Sequence, residues 1–410
     1  MASLGPVGWD AHGYWKTSQA VRDHFDPYAQ DLVALQAFHD HINPAEPPPF
    51  VYVYSPLTLS LLRPLSVLPS FLLGLLYWGA FAAGAMLELW AGFQMAEARE
   101  RRWLALALPA VVFFPGLLTD DVILSGNVAY VLYGVILAAS TVGWKRGHWR
   151  WFYIAVLAAS VIKAPFLALL AFPVLVDRDS DRPQWVPALA TAAVGVLLFA
   201  AQMRFWPSMF REQLLSLRLI FDWLHDFGYG PVSILGKAML RQGILSTRST
   251  AIFYLGSACV LAPILLFLAQ RVRQWNLPRE TWVPVALVGT VLLNPRIQKY
   301  DFAAITIPML LIGWRAVRFA CARAAETERY NSDQSPAASA RSLILAAVGC
   351  FLIANAITIA GPSWFPVELV VLLAIFALGV WSLVQSRVAV QSPLEDRLED
   401  RLTVCLMPAD

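Results

Sequence analysis

The sequence predicts an all-α polytopic membrane protein, and three observations predict it. Of its 410 residues, 58% are hydrophobic and only 14% charged, with a mean hydropathy of +0.57; soluble domains carry about 25% charge. Apolar runs long enough to cross a bilayer recur from residue 69 to residue 384. Ahead of them stands one long polar, aromatic and charged segment, Trp9 to Pro56, which holds His12, His24, His39 and His41 and the aspartates Asp10, Asp23, Asp26, Asp31 and Asp40. The net charge of +3 carries little information, because in a membrane protein the placement of charge matters more than its sum. Cys259, Cys321, Cys350 and Cys405 show no metal-ligand spacing, so neither a disulfide nor a zinc site is expected. No nucleic-acid partner is expected; the partner that the composition demands is a lipid bilayer.

Residues 1–56 are expected to lie outside the membrane and to hold the chemistry. A transmembrane core at 57–320 follows. It opens with Pro56 to Ser66, apolar but short and broken by Arg63-Pro64, which reads as a helix lying at the membrane surface. Spans are then expected at about 69–95, 103–118, 126–143, 151–162, 164–176, 185–203, 250–270, 281–293, 302–314, 342–360 and 366–384, a bundle of about 10–11 helices, some short or re-entrant.

The stretch 151–176 reads either as one helix or as two short ones broken at Lys163-Ala164-Pro165, and the positive-inside rule decides. With two passes, the clusters around Arg99–Arg102, Lys145–Arg150, Arg178/Arg182, Arg271–Arg279 and Arg315–Arg341, and the tail from Arg387, all fall on one side. The opposite loops at 118–125 and 361–365 contain no Lys or Arg. Residues 321–341 are then a cytoplasmic linker, 342–384 a C-terminal transmembrane hairpin, and 385–410 a cytoplasmic tail. The odd count of spans puts Trp9–Pro56 outside. Either a short N-terminal tail is translocated or a further helix precedes it, and the second is preferred. Residues 204–249 form an external loop, in which Phe205 to Leu224 reads as an amphipathic helix on the membrane. Its lipid face would carry Trp206, Phe210, Leu214, Leu217 and Phe221.

An ionisable group at membrane depth is expensive unless it is used or paired, which shortens the list of candidates. Lys163 sits at the break between two half-helices. Arg296 and Lys299 lie in Asn-Pro-Arg-Ile-Gln-Lys-Tyr-Asp, the loop between two very short spans, and Asn127 follows Gly126 at the mouth of a helix. Cations beside aromatic rings near the outer leaflet suit a lipid phosphate; the plainer reading is that Lys163 snorkels and the other two are loop charges. In the opening segment a carboxylate is expected to act as general base on a sugar hydroxyl, and Asp10 is the best placed. Asp23, Asp26 and the histidines read as surface polar residues, and a site at His39 and His41 rests on weak spacing. Tyr52 and Tyr54 read equally as an interface belt or as stacking faces for a sugar. No cofactor is expected, although Asp120-Asp121 in the external loop offers hard oxygen ligands to a divalent cation.

The order of these features carries a resemblance. Asp10 is followed by Asp26-Pro27-Tyr28, then Tyr54-Ser55-Pro56 and Pro64-Leu65, then Ser125-Gly126-Asn127, Lys163-Ala164-Pro165, and Asn294-Pro295 with Tyr300. Over about residues 9–315 the chain resembles the polyprenyl-phosphate-dependent GT-C glycosyltransferases of glycosyltransferase family 87, which include mycobacterial mannosyl- and arabinofuranosyltransferases. It departs from that pattern in Tyr-Ser-Pro for Tyr-Pro-Pro, in the Ala inserted in Lys-Pro, and in the lack of a visible first helix. The resemblance implies a GT-C-like bundle whose external loops form the active site, in the cell membrane, with the C-terminus cytoplasmic. It implies a polyprenyl-phosphate sugar donor and a glycan or glycolipid acceptor. Asp10 would be the inverting general base, with Tyr14, Tyr28, Tyr54, Asn127, Lys163, Arg296, Lys299 and Tyr300 binding substrate. The competing readings are a lipid-linked sugar flippase, for which an internal repeat is expected and none is seen, and a non-catalytic subunit of an envelope polysaccharide complex.

Overall fold

A computed structural model describes residues 8–40, 51–113, 125–177, 183–224, 228–233, 247–330 and 367–391. Among them every regular element is a helix. In chain order these are α1 (Trp9–Arg22), α2 (Pro27–Asp40), α3 (Pro56–Leu65), α4 (Ser70–Met95), α5 (Ala98–Phe113), α6 (Ala129–Arg146), α7 (Arg150–Ile162), a 3-10 helix (Ala164–Leu170), α8 (Ala171–Val176), α9 (Trp185–Phe205), α10 (Pro207–Leu224), α11 (Thr247–Gln274), α12 (Arg279–Leu292), a second 3-10 helix (Lys299–Ile305), α13 (Thr306–Tyr330) and α14 (Val367–Gln391). The chain is an all-α polytopic membrane protein. Among the described residues, five stretches are long and apolar enough to cross a membrane: Phe71–Met95, Trp185–Phe205, Thr250–Gln274, Tyr300–Cys321 and Glu368–Arg387. Their outward faces expose large apolar side chains such as Phe71, Leu75, Leu197, Leu255 and Phe267, which only a lipid surround satisfies.

The expected span at 281–293 is a different object. Its 14 residues form α12, about 21 Å long, short of the roughly 30 Å hydrocarbon layer. Thr281 to Leu292 are buried without exception, because the helix is apolar on every side and α13, α14, α11 and α8 surround it. The expected span at 342–360 lies outside the described residues.

Small residues bring α4 against its neighbours. A Cβ on Gly84 would lie 2.8 Å from the Val131 Cα on α6, and one on Gly92 would lie 2.8 Å from the Ile307 Cβ on α13. Where α4 and α5 meet, Arg315 sets a bidentate fork on Glu100, with Nε to Oε1 and Nη2 to Oε2 both at 2.7 Å. Both side chains are sealed from solvent, and the third arm of the fork donates to the Glu280 carbonyl at 2.9 Å. Such a buried, charge-assisted pair is costly to break from one side.

The polar opening segment is two helices. Asp26 caps α2, accepting from the Tyr28 amide at 2.9 Å, and Pro27 takes the first helical position. Asp26-Pro27-Tyr28 is therefore a helix start. Ser55 caps α3 in the same way, with Pro56 following. The break after α7 is where the sequence places it. Lys163 is extended, at φ −136° and ψ 104°. Pro165 has no N–H to offer the Val161 carbonyl four residues back, and the hydroxyls of Ser55 and Thr58 donate to that carbonyl instead, at 2.6 and 3.3 Å. The proline thus ends one helix and leaves an acceptor that docks another.

Helix α10 corrects the expected lipid face. Phe210 is buried, edge-on to Phe199 with centroids 5.0 Å apart, and Phe221 lies under the Arg296 guanidinium. The exposed apolar pair is Leu214 and Leu215. The helix is rolled because its polar side chain Gln213 bonds the Val53 carbonyl at 3.2 Å, laying α10 against the stretch 51–55 and α2.

Candidate functional site

Gly126 starts the site. Its φ of +63° is left-handed, which glycine adopts without cost. A Cβ there would lie 3.0 Å from the Trp78 ring and 3.3 Å from the Ala11 Cβ. Gly8, at φ +81°, meets the same ring. The two glycines pinch Trp78 and bring the start of α1 against the start of α6, and the Tyr77 hydroxyl donates to the Gly126 carbonyl. Asp10, in the first turn of α1, is anchored by these contacts.

Asn127 then faces Asp10. Its Nδ2 donates to Asp10 Oδ2 at 2.7 Å. Its Oδ1 accepts from the Ala129 amide at 2.9 Å and from Lys163 Nζ at 3.3 Å. Both neighbours of the oxygen are donors and the neighbour of the nitrogen is an acceptor, so only one amide orientation fits. One buried side chain thus holds a carboxylate at one end and an ammonium at the other. The ammonium also lies 3.7 Å from the Tyr300 ring centre and 5.3 Å from that of Tyr54. Among the described residues no carboxylate is in ion-pair contact with it.

Tyr14 and Tyr54 share a hydroxyl–hydroxyl bond of 2.6 Å, and the Tyr14 hydroxyl accepts from the Val128 amide at 3.3 Å. Burial, then the charges of its neighbours Tyr54 and Asp10, pushes the Tyr14 phenol well up, so it keeps its proton. A cavity of about 690 Å³ lies between α1, α3 and α4, with both tyrosines and Tyr77 in its wall. Ala11, Val128 and Ile162, the chain neighbours of Asp10, Asn127 and Lys163, also line it. At its rim Leu61 and Trp78 are exposed, at 56% and 41%.

The loop ahead of α13 closes the other flank. Asn294 Oδ1 accepts from the Arg296 amide at 3.1 Å, an Asx turn, and the Tyr229 amide donates to the Ile297 carbonyl at 2.6 Å. Asp301 is buried in the first turn of the second 3-10 helix. Its Oδ1 accepts from the Tyr133 hydroxyl at 2.8 Å and its Oδ2 from the Gln298 amide at 2.7 Å.

The structure brings Asp10, Tyr14, Tyr54, Asn127, Lys163 and Tyr300 together, and it sets the Arg296 guanidinium over the Phe221 ring. Tyr28 is turned elsewhere: it is fully buried and donates to the Tyr54 carbonyl at 2.5 Å, a bond that holds α2 to the stretch 51–55. Tyr52 and Tyr54 are both buried, so they form no interface belt. Lys299 begins the second 3-10 helix, and its side chain lies outside what is described, as do Asp120, Asp121 and His41. His39 stacks on Trp223 with centroids 4.3 Å apart, and among the described residues no group of His, Cys, Asp and Glu could hold a metal.

Sequence reasoning missed Asp301, Tyr133 and Tyr77. The signal for Asp301 was present, since a carboxylate two residues from Lys299 at the start of an apolar span is as costly as the cations beside it. Asp31 was passed over as well. It accepts from the Tyr52 amide at 2.6 Å, and burial, with the charge of Asp26, pushes its carboxyl up to about 6 against the opposing pull of that bond. No protein-family model, no curated protein and no solved structure matches the chain.

Proposed function

We propose that the chain is a membrane glycosyltransferase. It moves a monosaccharide from a polyprenyl-phosphate donor to a hydroxyl of a glycan or glycolipid acceptor, at the extracytoplasmic face of the cell membrane and with its C-terminus in the cytoplasm. The observation that carries this reading is the bridge from Asp10 through Asn127 to Lys163 beside an apolar cavity. Among the described residues, the groups touching the Lys163 ammonium are neutral, an amide oxygen and two ring faces, which leaves its charge for an incoming anion. A phosphate is such an anion, and the cavity, within the usual 300–1,000 Å³ of a ligand site, takes the apolar units that follow it.

Asp10 is half-buried, and holds its carboxylate on the other end of the amide. It takes the proton of the acceptor hydroxyl. The hydroxyl oxygen bonds to the anomeric carbon as the bond from that carbon to the phosphate oxygen breaks, the electron pair leaving with polyprenyl phosphate. One displacement inverts the anomeric centre. Phosphate leaves without an acid and needs only cations against its growing charge, the role of Lys163 and Arg296.

The test is transfer by the full chain in lipid nanodiscs, from a panel of polyprenyl-phosphate hexoses and pentoses to a glycolipid acceptor. Transfer of one sugar with inversion is the expected result. A chain that neither binds polyprenyl monophosphate nor transfers any of the sugars overturns the reading, and movement of the intact donor between leaflets would favour a flippase instead.

A further inference from the structure

We propose that Glu88 is a proton-binding site inside the membrane, a carboxylic acid that keeps its proton at neutral pH because no cation and no hydrogen-bond donor meets it. Glu88 lies outside the bridge of Asp10, Asn127 and Lys163, so its proton is bound whether or not the chain transfers a sugar.

Glu88 stands in α4, within the span Phe71–Met95. It lies about 10 Å along the axis from Met95, at about 1.5 Å per residue, too deep for so short a side chain to reach the headgroups. Nor does it face lipid, since the residue is 6% exposed. Gly84 and Gly92, one turn before it and one turn after, share its face of the helix. At both a neighbouring helix comes close: a Cβ on Gly84 would lie 2.9 Å from the Tyr130 carbonyl of α6, and one on Gly92 would lie 2.8 Å from the Ile307 Cβ of α13. Glu88 is thereby enclosed in the seam where α4 meets α6 and α13. Its Oε1 is sealed from solvent and meets no donor.

The helices packed on α4 offer no counter-ion. On α6, Tyr130 lies against the Phe81 ring with centroids 4.9 Å apart, Tyr133 donates to Asp301, Lys145 donates to Gln94, and Arg146 is exposed. On α13, Arg315 is forked on Glu100 and Arg318 lies 3.9 Å from Glu97. On α12, Arg279 donates to the Trp144 carbonyl, and Glu280 is itself an acid. Among the described residues, no ion pair reaches Glu88. An isolated carboxylate is too costly in apolar surroundings, and the group takes up a proton instead. The protonated acid is neutral, so the helices close on it. Losing the proton would strand a charge in the seam between α4 and α6. The same two helices carry Tyr77 and the Gly126 turn that it holds, so the bound proton helps to keep the head of α6 in place.

The experiment reads the acid directly. Infrared difference spectra, parent minus Glu88→Gln, are taken of the full chain in lipid nanodiscs at neutral pH. The parent is expected to show the C=O stretch of an unionised carboxylic acid, shifted in heavy water, and the variant to lack it. An ordinary exposed glutamate is ionised in more than about 99% of molecules at neutral pH, so a spectrum in which Glu88→Gln loses only a carboxylate band overturns the proposal. Loss of the acid band when sodium chloride replaces choline chloride also overturns it, since the site would then hold a metal cation in place of a proton. Where Glu88→Gln does not fold, the parent alone decides, through dicyclohexylcarbodiimide, which reacts with the protonated acid. The acid proton passes to a carbodiimide nitrogen as the carboxyl oxygen bonds to the central carbon. The resulting O-acylisourea rearranges to an N-acylurea; nothing leaves, so the adduct carries the mass of both reactants. Peptide mass spectrometry is expected to find this adduct forming on Glu88 about tenfold faster, or more, than on exposed carboxylates. Modification confined to the exposed carboxylates overturns the proposal.

Discussion

The Asn127 amide donates to the Asp10 carboxylate over 2.7 Å, joining residues 117 positions apart. The oxygen of the same amide accepts from Lys163. A neutral amide thus stands between a carboxylate and an amine. The expected consequences of that geometry can be measured one at a time.

Asp10→Asn keeps an acceptor for Asn127 and removes the base. Sugar transfer is expected to fall by about 10²–10⁴-fold, with polyprenyl monophosphate binding within about twofold of the parent. Transfer at the parental rate would remove Asp10 from the chemistry.

Asn127→Ala deletes the spacer. With both charges freed to approach each other, kcat is expected to fall by about 10²-fold through misplacement, more than KM changes. Steady-state kinetics of the variant measures the split; a change in KM alone would mean that Asn127 only binds substrate.

Lys163→Met removes the cation and keeps the stem. Binding of polyprenyl monophosphate is expected to weaken by about tenfold or more, since hydrogen bonds to a charged group contribute about 1.5–3 kcal/mol. Titration of nanodisc-bound protein gives the ratio, and unchanged affinity would show that the phosphate sits elsewhere.

Asp31 sets a pH dependence. Its carboxyl is raised from 3.8 to about 6 in the folded chain, so between those values the folded state binds more protons than the unfolded one. Stability contributed by this group is therefore lost as pH rises from about 4 to about 6. Asp31→Asn keeps an acceptor for the Tyr52 amide and cannot ionise. Proteolysis of the α1–α2 segment, followed between pH 4 and 7, is expected to rise with pH in the parent more than in the variant. Identical profiles would show that Asp31 does not govern the docking of α2.

Glu100→Gln leaves the Arg315 guanidinium buried without its carboxylate. Removing one partner of such a pair typically costs about 3–5 kcal/mol. The thermal midpoint in detergent is expected to drop, and replacing Arg315 by Met in the same chain to recover part of the loss. A variant as stable as the parent would mean that the clamp is solvated.

Much of the fold was legible in the sequence, for local reasons. Apolar runs mark the spans, and Pro165 ends α7 wherever it occurs, because the missing N–H belongs to the residue itself. The site was legible as a set of suspects. Lys163, Asn127 and Asp10 were named from cost and position. Tyr28 was named with them, yet it proves to be a strut, since the same Asp-Pro-Tyr letters serve a helix cap as well as they serve a ligand. Asp301 was quoted in its motif and passed over in favour of its cationic neighbours.

The sequence by itself determined the helical class, the membrane setting, the break at Lys163 and the short list of costly charges, because hydropathy and proline act within a few residues of where they stand. Only the tertiary structure decided that Asp10 meets Asn127, that α10 rolls its phenylalanines inward, that α12 is a buried pillar, and that Asp301 meets Tyr133. Those outcomes depend on the register of one helix against another. That register is set by where glycines such as Gly84 let backbones meet and where orphaned acceptors such as the Val161 carbonyl find a donor, and no stretch of chain read alone contains both partners.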